Sequence, residues 1–312
     1  MGQLRVVHCP VNFAGIGWTN VQALRRKGVD ARLVVFNTHP AHPEADVDLR
    51  LPDGPAWRRQ AAQFRALVRL LPTTDVFHFY FGLTLVPKRL QFPILKAARK
   101  KSVFHFVGSD IRGKSPDELA YSRLADVQIV GSYDAARWIP DAEVVPPGID
   151  LSAIEPAPPR GDGPVRIAHA ALSRRRKGTE VIVAACEELG VDLDVIEKVR
   201  HDKVGPRLAR ADIVVDQLNS GWYGLFAIEA MAYGKPVVGY IHEQAAARTA
   251  AAFGDEVPIV RTTKETLAAD LRPLLDSAEE RQARAAASRA YVERVHDADK
   301  MADRLLAIYA DL

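Results

Sequence analysis

The run from Gly221 to Val238, Gly-Trp-Tyr-Gly-Leu-Phe-Ala-Ile-Glu-Ala-Met-Ala-Tyr-Gly-Lys-Pro-Val-Val, restricts the fold more than any other part of this 312-residue sequence. It spells loop, helix, stop and strand. Leu225 to Tyr233 holds only good or tolerable helix formers, Gly234 suits the left-handed residue that ends a helix, and Pro236 cannot continue one. Val237 to Ile241 then has the β-branched character of a strand.

Glu229 is the only charge in that helix, and at about 100° per residue it lies between Leu225 and Tyr233 in an apolar surround. Burying an unpaired carboxylate costs several kcal/mol, so Glu229 needs a cation or the hydrogen-bond donors of a ligand. Gly221 and Gly224 let the backbone come close to such a ligand, and the free amides of the helix N-terminus favour an anion. Phosphate at the helix end with hydroxyls on Glu229 points to a nucleotide-linked sugar. A Glu paired to a neighbouring Arg in a tight helix–strand unit remains the alternative.

The same logic recurs along the chain. A strand at Leu4 to His8 leads through Gly15 and Gly17 into a helix expected from about Asn20 to Lys27. A third glycine is missing, since Asn20 stands three residues after Gly17, and the strand Ala31 to Phe36 ends without the acidic residue that would bind a nicotinamide ribose. A dehydrogenase is therefore disfavoured. Asp46-Val47-Asp48 is an Asp-x-Asp pattern in a polar, Pro-rich stretch and is read as a solvated loop, as are His39 and His42, which have no third ligand nearby. Trp57 to Leu71 and the run from Lys88 to Lys101 are basic amphipathic segments, suited to the outer faces of helices or to an anionic membrane. Further strands are expected at Val76 to Phe79, Val103 to Val107, Ala125 to Val130 and Val144-Val145, making a sheet of about six. Gly108-Ser109-Asp110-Ile111-Arg112 follows a parallel strand end, where α/β proteins bind ligands.

Ser152 to Pro164 holds four prolines and two glycines and marks a linker. Beyond it come a strand at Val165 to His169, a loop with Arg174, Arg175, Arg176 and Lys177 ahead of Gly178, and a helix from Thr179 to Leu189. Four cations thus stand where the first half has glycines. Val191 to Ile196 and Ile213 to Asp216 are strands, the second bringing Asp216, Gln217 and Asn219 beside the loop at Gly221. Pro258 to Val260 is another strand, and Thr262-x-x-Glu265 and Ser277-x-x-Glu280 are capping-box patterns. The end is helical, with a break near His296-Asp297.

Gly221 to Val238 together with Lys177-Gly178 resembles the signature of retaining GT-B glycosyltransferases of the GT4 type. The resemblance implies an α/β protein of two Rossmann-like domains with parallel sheets facing across a cleft: residues 1–155 for the acceptor, 164–295 for the nucleotide sugar, and a C-terminal helix in 296–312 crossing back to the first domain. Pro146 to Asp150 resembles the segment that hands over between the halves. In that family two Glu residues frame the sugar-nucleotide site. Glu229 matches the one that holds the ribose, while Gly221 replaces the other. The resemblance further implies that Gly221, Trp222, Tyr223, Gly224, Leu225 and Phe226 lie against the donor, that Lys177 grips the diphosphate with one of Arg174, Arg175 and Arg176 in place of the family Arg (whose position holds Ala171 or Leu172), and that Gly15 and Gly17 lie under the diphosphate and acceptor. It makes His105 the sugar-contacting histidine, with Asp110 and Arg112 behind it. The implied reaction is hexosyltransferase-like transfer from a nucleotide-diphosphate sugar to an acceptor hydroxyl by front-face attack, with retention. No cofactor or metal is expected. A sugar-nucleotide epimerase and a non-catalytic nucleotide-sugar-binding protein are the alternatives, and the acceptor is left open among a glycan, a lipid-linked and a small molecule.

Composition agrees with two domains. The chain carries 42 Lys+Arg against 39 Asp+Glu, a net +3 too small to indicate nucleic acid. Residues 1–150 hold the basic excess, 20 against 14, consistent with peripheral contact at an anionic membrane. Cys9 and Cys186 suggest buried thiols and no disulfide framework. The absence of an apolar span or signal-peptide core leads us to expect a cytoplasmic protein, or one peripheral to the inner membrane face.

Overall fold

The computed structural model describes residues 3–161, 163–171 and 173–312. The chain divides into two compact units, one made of residues 1–148 and 298–312 and the other of 149–297. The division falls at Gly148, ahead of the proline-rich stretch expected to be the linker, and that stretch belongs to the second unit.

The first unit is built on a parallel sheet of seven strands: β1 Arg5–Cys9, β2 Asp30–Val35, β3 Val47–Asp48, β4 Val76–Tyr80, β5 Lys101–Phe106, β6 Val127–Val130 and β7 Glu143–Val144. Their order is β3-β2-β1-β4-β5-β6-β7. The central strands are buried along both faces because helices cover both sides, as parallel sheets require. Alternation sends Phe77, Phe79, Phe104 and Phe106 to one side with Leu67 and Leu95, and Val6, Val76 and Val103 to the other with Val21, Leu24, Met301 and Leu305. Each fully buried large apolar side chain contributes about 1.5–3 kcal/mol. The segment after the break at His296-Asp297 forms helix Ala298–Ala310, which packs on helix Ile16–Arg26 and is held there by Arg26–Asp299 and Lys27–Asp303 ion pairs of 2.7 and 2.8 Å.

One expectation is corrected here. Asp46-Val47-Asp48 is not a solvated loop, because Val47 and Asp48 pair with Val34 and Val35 as the edge strand. Asp46 accepts from the Leu33 N–H at 2.7 Å and pairs with Arg25 at 2.7 Å, and Asp48 accepts from the Arg50 N–H at 3.0 Å. Both carboxylates are taken up by their own chain.

The second unit has five parallel strands: β8 Arg166–Ala170, β9 Asp192–Ile196, β10 Ile213–Val215, β11 Val237–Gly239 and β12 Val260–Arg261, ordered β12-β11-β10-β8-β9. Helix Leu225–Ala232 lies in its core with Ala227, Ile228, Ala230, Met231 and Ala232 all buried, which is why it is apolar nearly all round. Gly234, at φ 71°, makes the predicted left-handed stop. Tyr291, Val292 and Val295 of helix Ala278–Val295 pack against it. Ser277 accepts from the Glu280 N–H and caps that long helix as expected. Thr262 caps nothing; the preceding helix is Leu267–Asp276, and Thr263 instead accepts from Glu265 and Thr266 in the turn before it. Lys235 is wholly buried and donates to the carbonyls of Ala209 and Ala211 at 3.1 and 2.7 Å, closing the end of helix Val204–Arg210; burial pushes its amine down to about 8.

Candidate nucleotide-sugar site

In the second unit, three chain segments meet at the C-terminal edge of the sheet. Ser173 starts a short turn of helix, Arg174–Lys177, that closes on Gly178 at φ 78°. A side chain on Gly178 would press on Leu218, the residue whose N–H bonds the Lys177 carbonyl. Asp216 follows the end of β10 and is 1% exposed; its Oδ1 accepts from Lys177 Nζ at 2.5 Å and its Oδ2 from the Gly224 N–H at 2.9 Å. Gln217 accepts from the N–H groups of Asn219 and Ser220 and donates to the Trp222 carbonyl, and Asn219 donates to the Arg175 carbonyl. These side chains hold the glycine loop and the cationic turn together. Gly221, at φ 69°, takes the left-handed conformation, whereas Gly224, the N-cap of helix Leu225–Ala232, is extended.

The structure therefore brings Lys177, Gly224 and the helix N-terminus to one place, and draws one of the other expected cations, Arg174, into ion pairs of its own. Arg174 is tied to Glu180 at 2.7 Å and to Glu197 at 3.1 Å. Arg175 and Arg176 are exposed and without side-chain partners among the described residues. Ala171 is buried with its N–H on the Ile196 carbonyl, and Leu172 lies outside the described residues. Trp222 and Tyr223 are not ligand-facing side chains. They stack on each other in the core at 4.7 Å, and the Tyr223 hydroxyl bonds Tyr291 and His296, each at 2.9 Å, so these two residues can offer a ligand only backbone. Leu225 and Phe226 are partly buried against the same core.

Glu229 sits one turn into the helix, 20% exposed, with its Oε1 3.4 Å from His201 Nε2. Burial raises its carboxyl above the ordinary range, and a charge on His201 opposes that rise. The expected partner of Glu229 thus exists, but it is a half-exposed histidine from the turn His201–Lys203 and not an arginine. Two adjacent groups were therefore missed, His201 as the partner of Glu229 and Asp216 as the partner of Lys177.

In the first unit the glycine loop has another use. Helix Ile16–Arg26 begins four residues earlier than expected, with left-handed Gly15 as its N-cap and the Trp18 N–H on Asn12. A Cβ on Gly15 would stand 3.1 Å from His42, and one on Gly17 3.0 Å from Leu33. Both glycines answer to close packing. Asp110 Oδ1 accepts from the Val107 and Gly108 N–H groups at 3.0 and 2.9 Å, so it orders its own turn; its Oδ2 is buried without a hydrogen bond among the described residues, and burial raises its carboxyl. Arg112 is held by buried Asp134 at 3.0 Å.

His105 is 2% exposed inside the sheet, which corrects its placement among residues open to a ligand. Strand alternation puts it on one face with His8, His78 and Tyr80. Asn20 Nδ2 donates to the Tyr80 hydroxyl at 2.8 Å, and the series continues from Tyr80 to His8 Nδ1 (2.7 Å), His8 Nε2 to Tyr309 (3.4 Å), Tyr309 to His78 Nδ1 (2.7 Å) and His78 Nε2 to His105 Nδ1 (3.0 Å). Asn20 can only donate through that nitrogen, and the direction in which every hydroxyl proton finds an acceptor has each hydroxyl and imidazole pass its single proton forward, with the rings protonated at Nε2. Burial, with the charge of His105 behind it, pushes His8 down to about 3; burial alone takes His105 to about 3; and burial holds His78 well below its usual value. All three are neutral.

Helix Ala56–Leu70 exposes Trp57, Phe64 and Val68 in one stripe, 64, 47 and 51% accessible, beside Arg58, Arg65 and Arg69. Among the described residues no helix is long and apolar enough to cross a membrane, and no group of three or more His, Cys, Asp or Glu side chains could hold a metal ion.

Solved structures share both units at low sequence identity. Sucrose-phosphate synthase from Thermosynechococcus elongatus matches with a TM-score of 0.72 at 15% identity over 99% of each chain. Anabaena HepE in complex with UDP-glucose matches with a TM-score of 0.70 at 13% identity over the whole of both chains. The fold is GT-B. The UDP-GlcNAc 2-epimerase of Methanocaldococcus jannaschii, in complex with UDP-GlcNAc and UDP, also matches over the whole of both chains, with a TM-score of 0.52 at 10% identity. No protein-family model matches the sequence, and no curated protein matches it.

Proposed function

We propose that this chain is a GT4-type glycosyltransferase that moves a sugar from a nucleotide-diphosphate donor, held by the second unit, to an acceptor hydroxyl. The observation that carries the reading is the meeting of Lys177 with Gly224 at the N-terminus of helix Leu225–Ala232, one turn ahead of Glu229. An ammonium and free helix amides suit a diphosphate, and a carboxylate 20% exposed suits the hydroxyls of a ribose. Glycosyl transfer builds negative charge on the departing diphosphate, and Lys177, Arg175, Arg176 and the helix end are fixed or nearby charges that answer it. With these cations the reaction needs no metal, and front-face attack with retention needs no protein nucleophile. HepE with UDP-glucose shares this fold, which favours a sugar-nucleotide donor. Asp110, with one unpartnered oxygen at the end of β5, is the first-unit carboxylate we assign to the acceptor side. The exposed Trp57, Phe64 and Val68 beside arginines suit peripheral contact with an anionic inner membrane face; sedimentation with anionic but not neutral vesicles is the expected result.

Thermal shift against UDP-glucose, UDP-N-acetylglucosamine, ADP-glucose and GDP-mannose tests the reading, since a ligand at 100 times its dissociation constant adds about 2.7 kcal/mol of stability. No shift with any of them would remove it. The epimerase reading is favoured by the likeness to a UDP-GlcNAc 2-epimerase and by Gly221 standing where the resembling family has Glu. Product analysis separates the two, because an epimerase returns an altered nucleotide sugar and frees no nucleoside diphosphate.

A further inference from the structure

Asp216 is more buried than either group it serves, and its two oxygens divide their work: one takes the Lys177 ammonium at 2.5 Å, the other the Gly224 N–H at 2.9 Å. A Cβ built on Gly224 would lie 3.7 Å from Lys177 Nζ and 3.9 Å from Asp216 Oδ2, so cation, carboxylate and helix cap converge on one point. Lysine is a compact charge on a flexible four-carbon stem, and this one is 24% exposed; without a fixed acceptor its ammonium would sample many positions. Asp216 also cancels the charge of Lys177. A site built only to accumulate positive charge would omit it, and the turn keeps its surplus through Arg175 and Arg176 instead. What Asp216 adds is geometry.

Resting on the functional reading above, we propose that Asp216 is a positioning residue that fixes the Lys177 ammonium at the N-terminus of helix Leu225–Ala232, so that cation and helix amides meet the leaving diphosphate in one arrangement. Orientation of this kind governs rate, because a charge displaced by about 1 Å costs up to about 100-fold.

Two substitutions separate this role from simple support of the loop. Asp216→Asn keeps an oxygen to accept from the Gly224 N–H but turns no charge toward Lys177, whereas Asp216→Ala removes both bonds. Two readouts are made on the full chain. The first is the rate at which an amine-acetylating reagent modifies Lys177, followed by mass spectrometry, which needs no substrate. Both variants are expected to raise it at least about fivefold. The second is nucleoside diphosphate release from the member of the four-sugar panel that stabilises the protein most. Both variants are expected to lower turnover by about 10- to 100-fold with the donor Michaelis constant within about threefold, and Asp216→Asn is expected to add less than about twofold in a Lys177→Ala background. Unchanged Lys177 labelling in Asp216→Asn overturns the inference whatever the substrate. So does Asn restoring turnover to the wild-type level, or an Asp216→Asn loss as large without Lys177 as with it. Raised labelling with no donor bound at all would leave Asp216 as the holder of Lys177 and bring down the glycosyltransferase reading alone.

Discussion

The two units meet the same topological problem, a strand running through a glycine loop into a helix, and solve it with opposite contents. In the first, Gly15 lies against His42 and Gly17 against Leu33, and the residues behind them form a closed, neutral series of imidazoles and hydroxyls. In the second, Gly178 lies against Leu218 but Gly224 borders an ion pair, and the nearest atom to a Cβ on Gly224 is an ammonium. Glycine spacing reports that something approaches the backbone closely. Whether that something is a leucine or a charge is decided by neighbouring strands.

The largest effect that would break this contrast is on Lys177. Lys177→Ala is expected to lower turnover by about 100- to 1,000-fold, the cost of removing one preorganised charge from a leaving group; a change confined to the Michaelis constant would make it a uniform binder. Glu229→Gln comes next. A hydrogen bond to a charged group contributes about 1.5–3 kcal/mol, so donor affinity should fall about 10- to 150-fold by calorimetry with the melting midpoint little changed.

Two glycines sharpen the comparison directly. Gly17→Ala places a methyl 3.0 Å from Leu33 and should cost about 1–3 kcal/mol in denaturant unfolding while donor affinity of the folded protein stays within twofold. Gly224→Ala meets nothing closer than 3.7 Å in ordinary backbone space, so stability should fall by no more than about 1 kcal/mol, the loss of a glycine N-cap, while the methyl at the mouth of the site weakens donor binding about tenfold. Acid gives the gentlest distinction. His8 and His105, at about 3, and His78 bind protons far less readily folded than unfolded, where histidine titrates near 6.5. Their stability contribution is complete above about pH 6.5 and is lost as pH falls toward 3, at up to about 1.4 kcal/mol per pH unit for each ring. Urea midpoints followed by a first-unit probe should show that loss, and His78→Phe should reduce its slope.

Local chemistry was readable where short-range rules decide. The helix from Leu225 with its stop at Gly234, the helix Thr179–Leu189, the Ser277 cap and the break at His296-Asp297 all follow from capping, glycine and periodicity. The edge strand at Val47-Asp48 was not, since two residues carry no alternation and pairing with β2 alone defines them. Glu229 advertised its need for a partner, but His201 comes from 28 residues away, and Asp216 read as loop support because its distance from Lys177 along the chain hides their contact. The histidines offered an unused signal: His8, His78 and His105 each sit two places past a buried strand valine, Val6, Val76 and Val103, and this shared parity puts them on one face once the strands are neighbours.

Helix Ala298–Ala310 belongs to the first unit, although all of the second unit is translated before it. During synthesis the first seven strands can pair early, yet His8 and His78 must wait for the Tyr309 hydroxyl, which is made only after the whole of the second unit. The nascent first unit therefore waits with two buried imidazoles short of a partner and a strip of apolar surface at Val21, Leu24 and Val103 uncovered, while the second unit can already close. Chaperone demand should peak in that interval, and a stop codon ahead of Ala298 would strand the chain there.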